Sequence, residues 1–148
     1  KRLFKFSKQF NNSKMELTAK EIQKYKKRSH DWLIAKAQER FNEYIRLRDK
    51  DNGCISCLKG RVENAGHYMS AGHHTALRYN EDNVHGQCIQ CNMYLSANLI
   101  NYRKNLVRKI GVQKVEMLEG VKRAAHNWDR LELITIIKIY SQKVKELK

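Results

Sequence analysis

The chain has 148 residues, with 30 Lys and Arg against 15 Asp and Glu, which gives a formal net charge of +15. Because so large an excess makes a compact chain repel itself, it favours a polyanionic partner, and nucleic acid is the first candidate. No run approaches the roughly 18 to 20 apolar residues of a membrane span, and no charged-then-apolar leader is present. We therefore expect one compact, soluble, cytoplasmic domain without a membrane partner.

The first 28 residues are rich in positive charge. Residues 1–14 are irregular and are either an arm that contacts DNA or a tail packed by its aromatic rings. Thr18 followed by Glu21 has the spacing of a capping box and predicts a helix start. The basic residues 24–28 fit either a solvated helix face or a surface that tracks phosphates, and the overall charge favours the second interpretation.

A longer amphipathic helix is predicted to begin after Ser29. Its apolar residues recur at steps of three and four: Leu33, Ala37, Phe41, Tyr44 and Ile45. The turn-forming sequence Asp51, Asn52 and Gly53 ends this helix.

All four cysteines lie in two C-x2-C pairs, Cys54 with Cys57 and Cys88 with Cys91. Two such pairs separated by about thirty residues have the spacing of a tetrahedral four-cysteine zinc site. Two disulfides or four unrelated thiols are the alternatives. A reducing compartment suits thiolates that are kept for a metal, so we expect structural zinc.

Between the cysteine pairs the sequence indicates short strands and turns. Residues 61–63 fit a strand, residues 65–68 fit its partner, and residues 70–74 and 79–83 are loop-like. Residues 92–102 lose the alternation of a strand and become helical. The predicted order is therefore two strands and a helix, with zinc at the base of the unit.

This region resembles the zinc-supported form of the HNH nuclease motif, also called the ββα-metal or His-Me finger. The similarity lies in Gly66-His67-Tyr68, in Asn83, and in Cys88-x2-Cys91-Asn92. More closely, the strings AGHY, LRYNEDNVHGQC, CN and SAN-L-x2-Y-R are similar to the NinG or Rap recombination family of lambdoid phages. The likeness runs from about Trp32 to the C-terminus, and residues 65–103 are its most specific part.

The resemblance implies a structure-specific endonuclease that cuts branched or junction DNA in the host cytoplasm. His67 would be the general base, because a neutral imidazole can take the proton of an attacking water. Asn83 would orient that base. Asn92 would be a ligand of a catalytic Mg²⁺ or Mn²⁺, an ion that neutralises charge on the phosphate.

One position departs from the common HNH pattern, which places an acidic residue or His before the catalytic histidine. That position is Gly66, so a ligand has to come from elsewhere. The candidates by chemistry are three histidines, backed by two carboxylates: His73, His74, His85, Asp82 and Glu81. His85 is preferred because it lies three residues before Cys88 and belongs to the similar string. We predict that His85 is a catalytic residue and that His73 is a second candidate ligand of the catalytic ion.

The remainder of the chain is predicted to be helical. No acidic residue occurs between Asp82 and Glu116, which suits a surface that faces DNA. A buried helical stripe, ended by Gly111, is expected from Leu99, Tyr102, Leu106 and Ile110. Asp129 and Glu132 form a second capping box before a last helix, whose apolar seam is Leu133, Ile137, Tyr140, Val144 and Leu147. This seam fits either packing within the chain or a homodimer contact.

The sequence thus predicts a mainly α (α+β) fold with a zinc-supported ββα-metal centre flanked by long helices. Residues 1–53 would form a basic arm and helices, residues 54–110 the zinc-bound nuclease core, and residues 111–148 the C-terminal helices. We predict a metal-dependent DNA endonuclease. The first alternative is a non-catalytic zinc-bound nucleic-acid-binding module. A zinc-stabilised protein-interaction adaptor is a third class, but it leaves the charge unexplained.

Overall fold

The structure, a computed structural model, describes residues 16–121 and 125–148. Its α-helices are α1 (Ala19–Lys24), α2 (His30–Asp49), α3 (Leu99–Ile110), α4 (Val112–Gly120) and α5 (Arg130–Leu147). Strands β1 (Asn64–His67) and β2 (Val84–Gln87) form a two-stranded sheet. Short helical turns span Thr75–Leu77, Gln90–Tyr94 and Ser96–Asn98. The chain is mainly helical with a small sheet, as predicted, whereas the predicted arm at residues 1–14 lies outside the described residues.

The helix starts confirm the sequence signals. Thr18 Oγ1 accepts a hydrogen bond from the backbone N–H of Glu21, and the Glu21 carboxylate accepts one from the backbone N–H of Thr18 in return. Asp129 and Glu132 form the same reciprocal box before α5. Ser29 caps α2 through the backbone N–H of Trp32. These caps were predictable because all their partners lie within three residues.

The main core lies between α2 and α5. The α2 residues Leu33, Ala37, Phe41 and Ile45 are fully buried, as the periodicity predicted. Most of the α5 seam is buried in the same core, where the rings of Phe41 and Tyr140 meet edge to face with centroids 4.8 Å apart. The interpretation of this seam as packing within the chain is confirmed. A dimer contact through α5 would have to use its other residues, and it stays a prediction.

The strand pairing differs from the prediction. The antiparallel sheet pairs Asn64 with Gln87 and His67 with Val84, so the partner of β1 is β2. Residues 61–63 are not a strand. The sequence of β2, VHGQ, does not predict a strand because it contains Gly, which is rare in strands. All four of its residues are nevertheless buried.

The helix predicted over residues 92–102 is interrupted. A π-helical turn ends at Tyr94, and three successive residues, Ser96, Ala97 and Asn98, then adopt positive φ angles of 48°, 68° and 47°. The Ala97 carbonyl accepts hydrogen bonds from the Ser56 hydroxyl at 2.9 Å and from the Gln87 amide at 2.8 Å. These distant partners hold the turn, so α3 begins only at residue 99.

A second core joins α3 and α4 to the loops around the sheet. It contains Ile55, Leu77, Tyr102, Leu106, Val115 and Leu118. The predicted stripe is confirmed at Tyr102 and Leu106 but is wrong at Leu99, which is 47% exposed because it follows the left-handed turn. None of the helices in the described part of the chain has the length and apolar character needed to cross a membrane.

A buried ionic cluster ties α2 to β2 and α3. The Asp49 carboxylate, only 3% exposed, receives two hydrogen bonds of 2.8 Å from Arg48. It also accepts one from the backbone N–H of Gly86 at 2.8 Å, and Lys109 lies 3.4 Å away. Arg48 donates in addition to the Val84 carbonyl. The end of α2 is thereby fixed against the sheet that carries the candidate site.

Candidate metal centre and hairpin site

The four cysteines meet at one place, as predicted. Their sulfur atoms all lie within 4.8 Å of one another, and all four thiols are free rather than joined in disulfides. Tetrahedral Zn–S bonds of about 2.3 Å place two sulfurs about 3.8 Å apart, and the Sγ atoms of Cys57 and Cys88 are 3.8 Å apart. The donor set and its spacing therefore fit a structural metal such as zinc.

Backbone N–H groups surround these sulfurs in the manner of zinc knuckles. Gly60 N–H points at Cys57 Sγ over 3.3 Å, and Cys91 N–H points at Cys88 Sγ over 3.4 Å. A Cβ at position 60 would lie 2.5 Å from the Cβ of Cys88, so this turn requires glycine. Burial raises the pKa of the Cys57 thiol, but N–H donors outweigh it and lower the pKa to about 6. The Cys57 thiolate stabilised in this way is a ready ligand, whereas burial raises the pKa of the Cys88 and Cys91 thiols.

His67 is half-buried at the end of β1. Its Nε2 lies 3.0 Å from the carbonyl oxygen of Arg78. Since a carbonyl can only accept, the neutral ring carries its proton on Nε2 and leaves the lone pair on Nδ1. Burial lowers the pKa of His67 below its usual value of 6.5. At neutral pH the side chain is therefore an uncharged imidazole with an accepting Nδ1.

Asn83 holds the chain on both sides of this contact. It is fully buried, and its amide exchanges two hydrogen bonds with the backbone of Met69, accepting at 2.8 Å and donating at 2.9 Å. The same amide donates to the carbonyl of Leu77. Because Leu77 precedes Arg78 and Met69 lies two residues after His67, Asn83 fixes the distance between the histidine and its carbonyl acceptor.

His85 lies on the other face of the sheet. It pairs directly with Gly66, while His67 pairs with Val84. Paired residues share a face and successive residues alternate, so the His67 and His85 side chains point in opposite directions. His85 is 2% exposed and contacts the Tyr102 ring. Burial lowers the pKa of His85 to about 3, and the charges of Arg48 and Lys109 act in the same direction. The structure does not bring His67 and His85 together.

The departure at position 66 has a steric cause. A Cβ on Gly66 would lie 1.8 Å from the side-chain oxygen of Gln87. Gln87 occupies this space because its amide nitrogen is committed to Ser56 and to the Ala97 carbonyl. Gly66 and Gln87 are therefore a matched pair. The sequence analysis missed Gln87, and its isolated position in the sequence gave no signal of the role.

The other predicted residues are more dispersed. Asn92 is half-buried in the π-helical turn, His73 is exposed in the loop, and His74 precedes the turn at Thr75–Leu77. Within residues 16–121 and 125–148, the four cysteines are the one group of three or more His, Cys, Asp or Glu ligand atoms close enough to share a metal. The amide oxygen of Asn92 is a donor of the type that Mg²⁺ accepts.

Basic and aromatic side chains are interleaved where α1 meets α2. The Arg28 guanidinium lies 4.6 Å from the Trp32 ring centroid, and Lys24 lies 5.3 Å from that of Tyr25. These four residues line one groove with Lys36, Arg40 and two residues of α5. Basic and aromatic side chains are the types that contact phosphates and bases in nucleic-acid-binding grooves, and this groove contains part of the basic run at residues 24–28.

The fold and the cysteine cluster define a small, basic, mainly helical protein whose sheet is anchored by a candidate metal centre. The family model of the Bacteriophage Lambda NinG protein matches residues 3–148, and the chain belongs to this family. Its relatives include Protein ninG of Escherichia phage lambda, 38% identical over 129 residues, and Protein ninG of Salmonella phage P22, 37% identical over 129 residues.

Each of these two alignments covers 86% of this chain but 63% of the relative. The chain thus spans less than two thirds of the length of the curated relatives that it matches. No solved structure matches it.

Proposed function

We propose that the chain is a metal-dependent endonuclease that cuts branched or junction DNA intermediates of recombination. The observation that carries the proposal is the contact between His67 and the Arg78 carbonyl. It fixes the tautomer so that Nδ1 can accept a proton from an attacking water. Because burial lowers the pKa of His67, the ring stays uncharged at neutral pH and Nδ1 remains able to act as a base.

Asn83 would act as a positioning residue in this proposal. It contacts neither water nor phosphate, because it is fully buried and its amide is engaged with the backbone. Its hydrogen bonds hold His67 and Arg78 in register, and a misplacement of about 1 Å at a base can cost about a hundredfold in rate. His85, buried and on the opposite face, would support the sheet rather than touch substrate.

A bound Mg²⁺ or Mn²⁺ would neutralise charge on the phosphate and stabilise the departing 3′-oxygen. Asn92 is the residue of this chain proposed to bind it, with phosphate oxygens and water completing the shell. The basic surfaces would hold the DNA backbone, and the zinc centre would keep the sheet and Asn92 in a fixed relation. His73 and His74 are close enough in sequence to the hairpin to be tested as further ligands.

The alternative is a zinc-bound DNA-binding module without catalysis. The groove lined by Lys24, Tyr25, Arg28 and Trp32 favours it, because basic and aromatic side chains bind nucleic acid without any catalytic ion. In that case the bond from His67 to Arg78 would serve only to close the loop.

A comparison of two substitutions at position 67 separates these functions. His67→Ala removes both the base and the hydrogen bond, while His67→Gln keeps an N–H donor for the Arg78 carbonyl but offers no imidazole. If His67 is the base, both variants keep zinc and DNA affinity and lose about 10²- to 10⁴-fold in cleavage rate. If its role is structural, His67→Gln cuts at close to the wild-type rate. Wild-type protein that binds branched DNA and never nicks it with Mg²⁺ or Mn²⁺ would establish the alternative.

A further inference from the structure

Exposed apolar side chains flank the left-handed turn that precedes α3 on both sides along the chain. We call them the apolar cap. Its side chains and their exposed fractions are Met93 66%, Tyr94 72%, Leu95 48%, Leu99 47% and Ile100 87%. So many large apolar side chains within eight residues, beside the candidate ligand Asn92, indicate a surface that binds something.

The cap is held rigidly. The turn beneath it has three successive residues with left-handed backbone, a conformation that non-glycine residues rarely adopt and that clusters at functional sites. Ser56 and Gln87 both donate to the carbonyl of Ala97 in this turn, and the Asn98 amide lies 3.5 Å from Cys91 Sγ. The exposure of the cap is therefore imposed by the cysteine cluster and the sheet rather than by a loose helix end.

Positive charge adjoins the cap. Leu99 and Ile100 share a groove with three basic residues of α3, Arg103, Lys104 and Arg108. Glu119 binds Arg103 at 2.6 Å. In the parts of the chain that the structure describes, neither Lys104 nor Arg108 has a carboxylate within ion-pair distance. A ligand for the whole surface needs both a flat apolar face and negative charge.

We infer that the apolar cap stacks on unpaired bases at a DNA branch while Lys104 and Arg108 contact the adjoining phosphates. Bases present a free apolar face only where pairing or stacking is interrupted, so the cap would distinguish a branch point from continuous duplex. A purely apolar protein face would leave the two cations without counter-charges. The inference rests on the proposed function for its DNA partner, but it does not depend on cleavage.

The test is binding in buffer without Mg²⁺ or Mn²⁺, so that cleavage plays no part. A three-way junction carrying 2-aminopurine at the branch is compared with a linear duplex of the same length. Tyr94→Ala combined with Ile100→Ser should lose about 5- to 100-fold in affinity for the junction and change duplex affinity by less than about twofold. Tyr94→Phe, which keeps the ring, should retain the junction affinity and the change in 2-aminopurine fluorescence.

The control is Leu131→Ser on α5, since Leu131 is 50% exposed and lies far along the chain from the cap. It should behave as wild type, and zinc content should be equal in all variants. Equal losses on junction and duplex, or no loss on either, would overturn the inference. So would wild-type protein that self-associates in sedimentation and is made monomeric by the cap substitutions, because the surface would then bind a second copy.

The two proposals can fail separately. Junction preference that depends on Tyr94, in a protein that never nicks DNA, would uphold the cap and refute the endonuclease. If the protein cuts junctions and the cap variants still prefer junction to duplex as wild type does, the endonuclease is upheld and the role of the cap is refuted.

Discussion

Asp49→Asn removes the charge at the centre of the ionic cluster while keeping the size of the side chain. Burial raises the pKa of Asp49, but the bonds from Arg48 and Gly86 and the charge of Lys109 outweigh it and lower the pKa from 3.8 to about 2. One pKa unit corresponds to about 1.4 kcal/mol, so the ionised form is favoured by on the order of 2 kcal/mol in the folded chain. Because the substitution also removes the short ion pair with Arg48 and the charge that faces Lys109, we expect a loss of about 2 to 4 kcal/mol in unfolding free energy.

The measurement is urea unfolding at pH 7 with zinc present, for wild type and the variant. Asp51→Asn is the matched control, since Asp51 is exposed two residues further along and should change stability by less than about 0.5 kcal/mol. The stabilisation by Asp49 is present above the unshifted pKa of 3.8 and is lost as the pH falls toward 2, so the two proteins should converge in strong acid. Equal losses in the two variants would refute the role assigned to Asp49.

Three other predictions can be checked separately. Gly66→Ala should destabilise the chain by about 1 to 3 kcal/mol, because the new Cβ overlaps with Gln87. In a double-mutant cycle measured by urea unfolding, Gln87→Ala should restore part of that loss. Additive losses would contradict the steric argument. Metal analysis of reduced protein should give about one zinc per chain, and replacing any of the four cysteines by Ser should abolish stoichiometric binding. Affinity for DNA should fall by on the order of 10³ between about 50 and 200 mM salt with little sequence preference, whereas a flat response would contradict phosphate binding.

The features that could be predicted from the sequence depend on neighbours along the chain. Residues within a few positions determine three of these features: the helix N-cap at Thr18, the buried face of α2 and the end of α3 at Gly111. The cysteine cluster spans more than thirty residues, but its two pairs carry a spacing that few other sites use. These signals predict the helical architecture and the meeting of the four cysteines.

The features that could not be predicted are set by contacts between distant segments. Strand β2 contains Gly and Gln but is buried along its whole length, with Gly86 against Asp49 of α2 and His85 against Tyr102 of α3. The left-handed turn exists because Ser56 and Gln87 hold the Ala97 carbonyl across 41 and 10 positions. A helical period continues across that turn in the sequence and predicts a buried Leu99, whereas its side chain is exposed and belongs to the apolar cap.

Acid should destabilise the fold well before carboxylates are protonated. Burial lowers the pKa of His85 to about 3, while an unfolded histidine titrates near 6.5. Below pH 6.5 His85 therefore binds a proton in the unfolded chain but not in the folded chain, and the free energy of unfolding falls as the pH falls. Worked at pH 5, the difference between these pKa values corresponds to about 2 kcal/mol of lost stability from His85 alone.

The effect is measured by urea unfolding between pH 7.5 and pH 5 for wild type and His85→Gln, with bound zinc followed in parallel because acid also competes for the cysteines. His85→Gln should show a shallower decline by up to about 1.4 kcal/mol per pH unit. His73→Gln, at an exposed position, should decline as wild type does. If His85→Gln also declined as wild type while zinc stayed bound, His85 would be protonated in the folded state. The description of His85 as a buried, uncharged imidazole against Tyr102 would then be wrong. His85 would again be a candidate for the catalytic site.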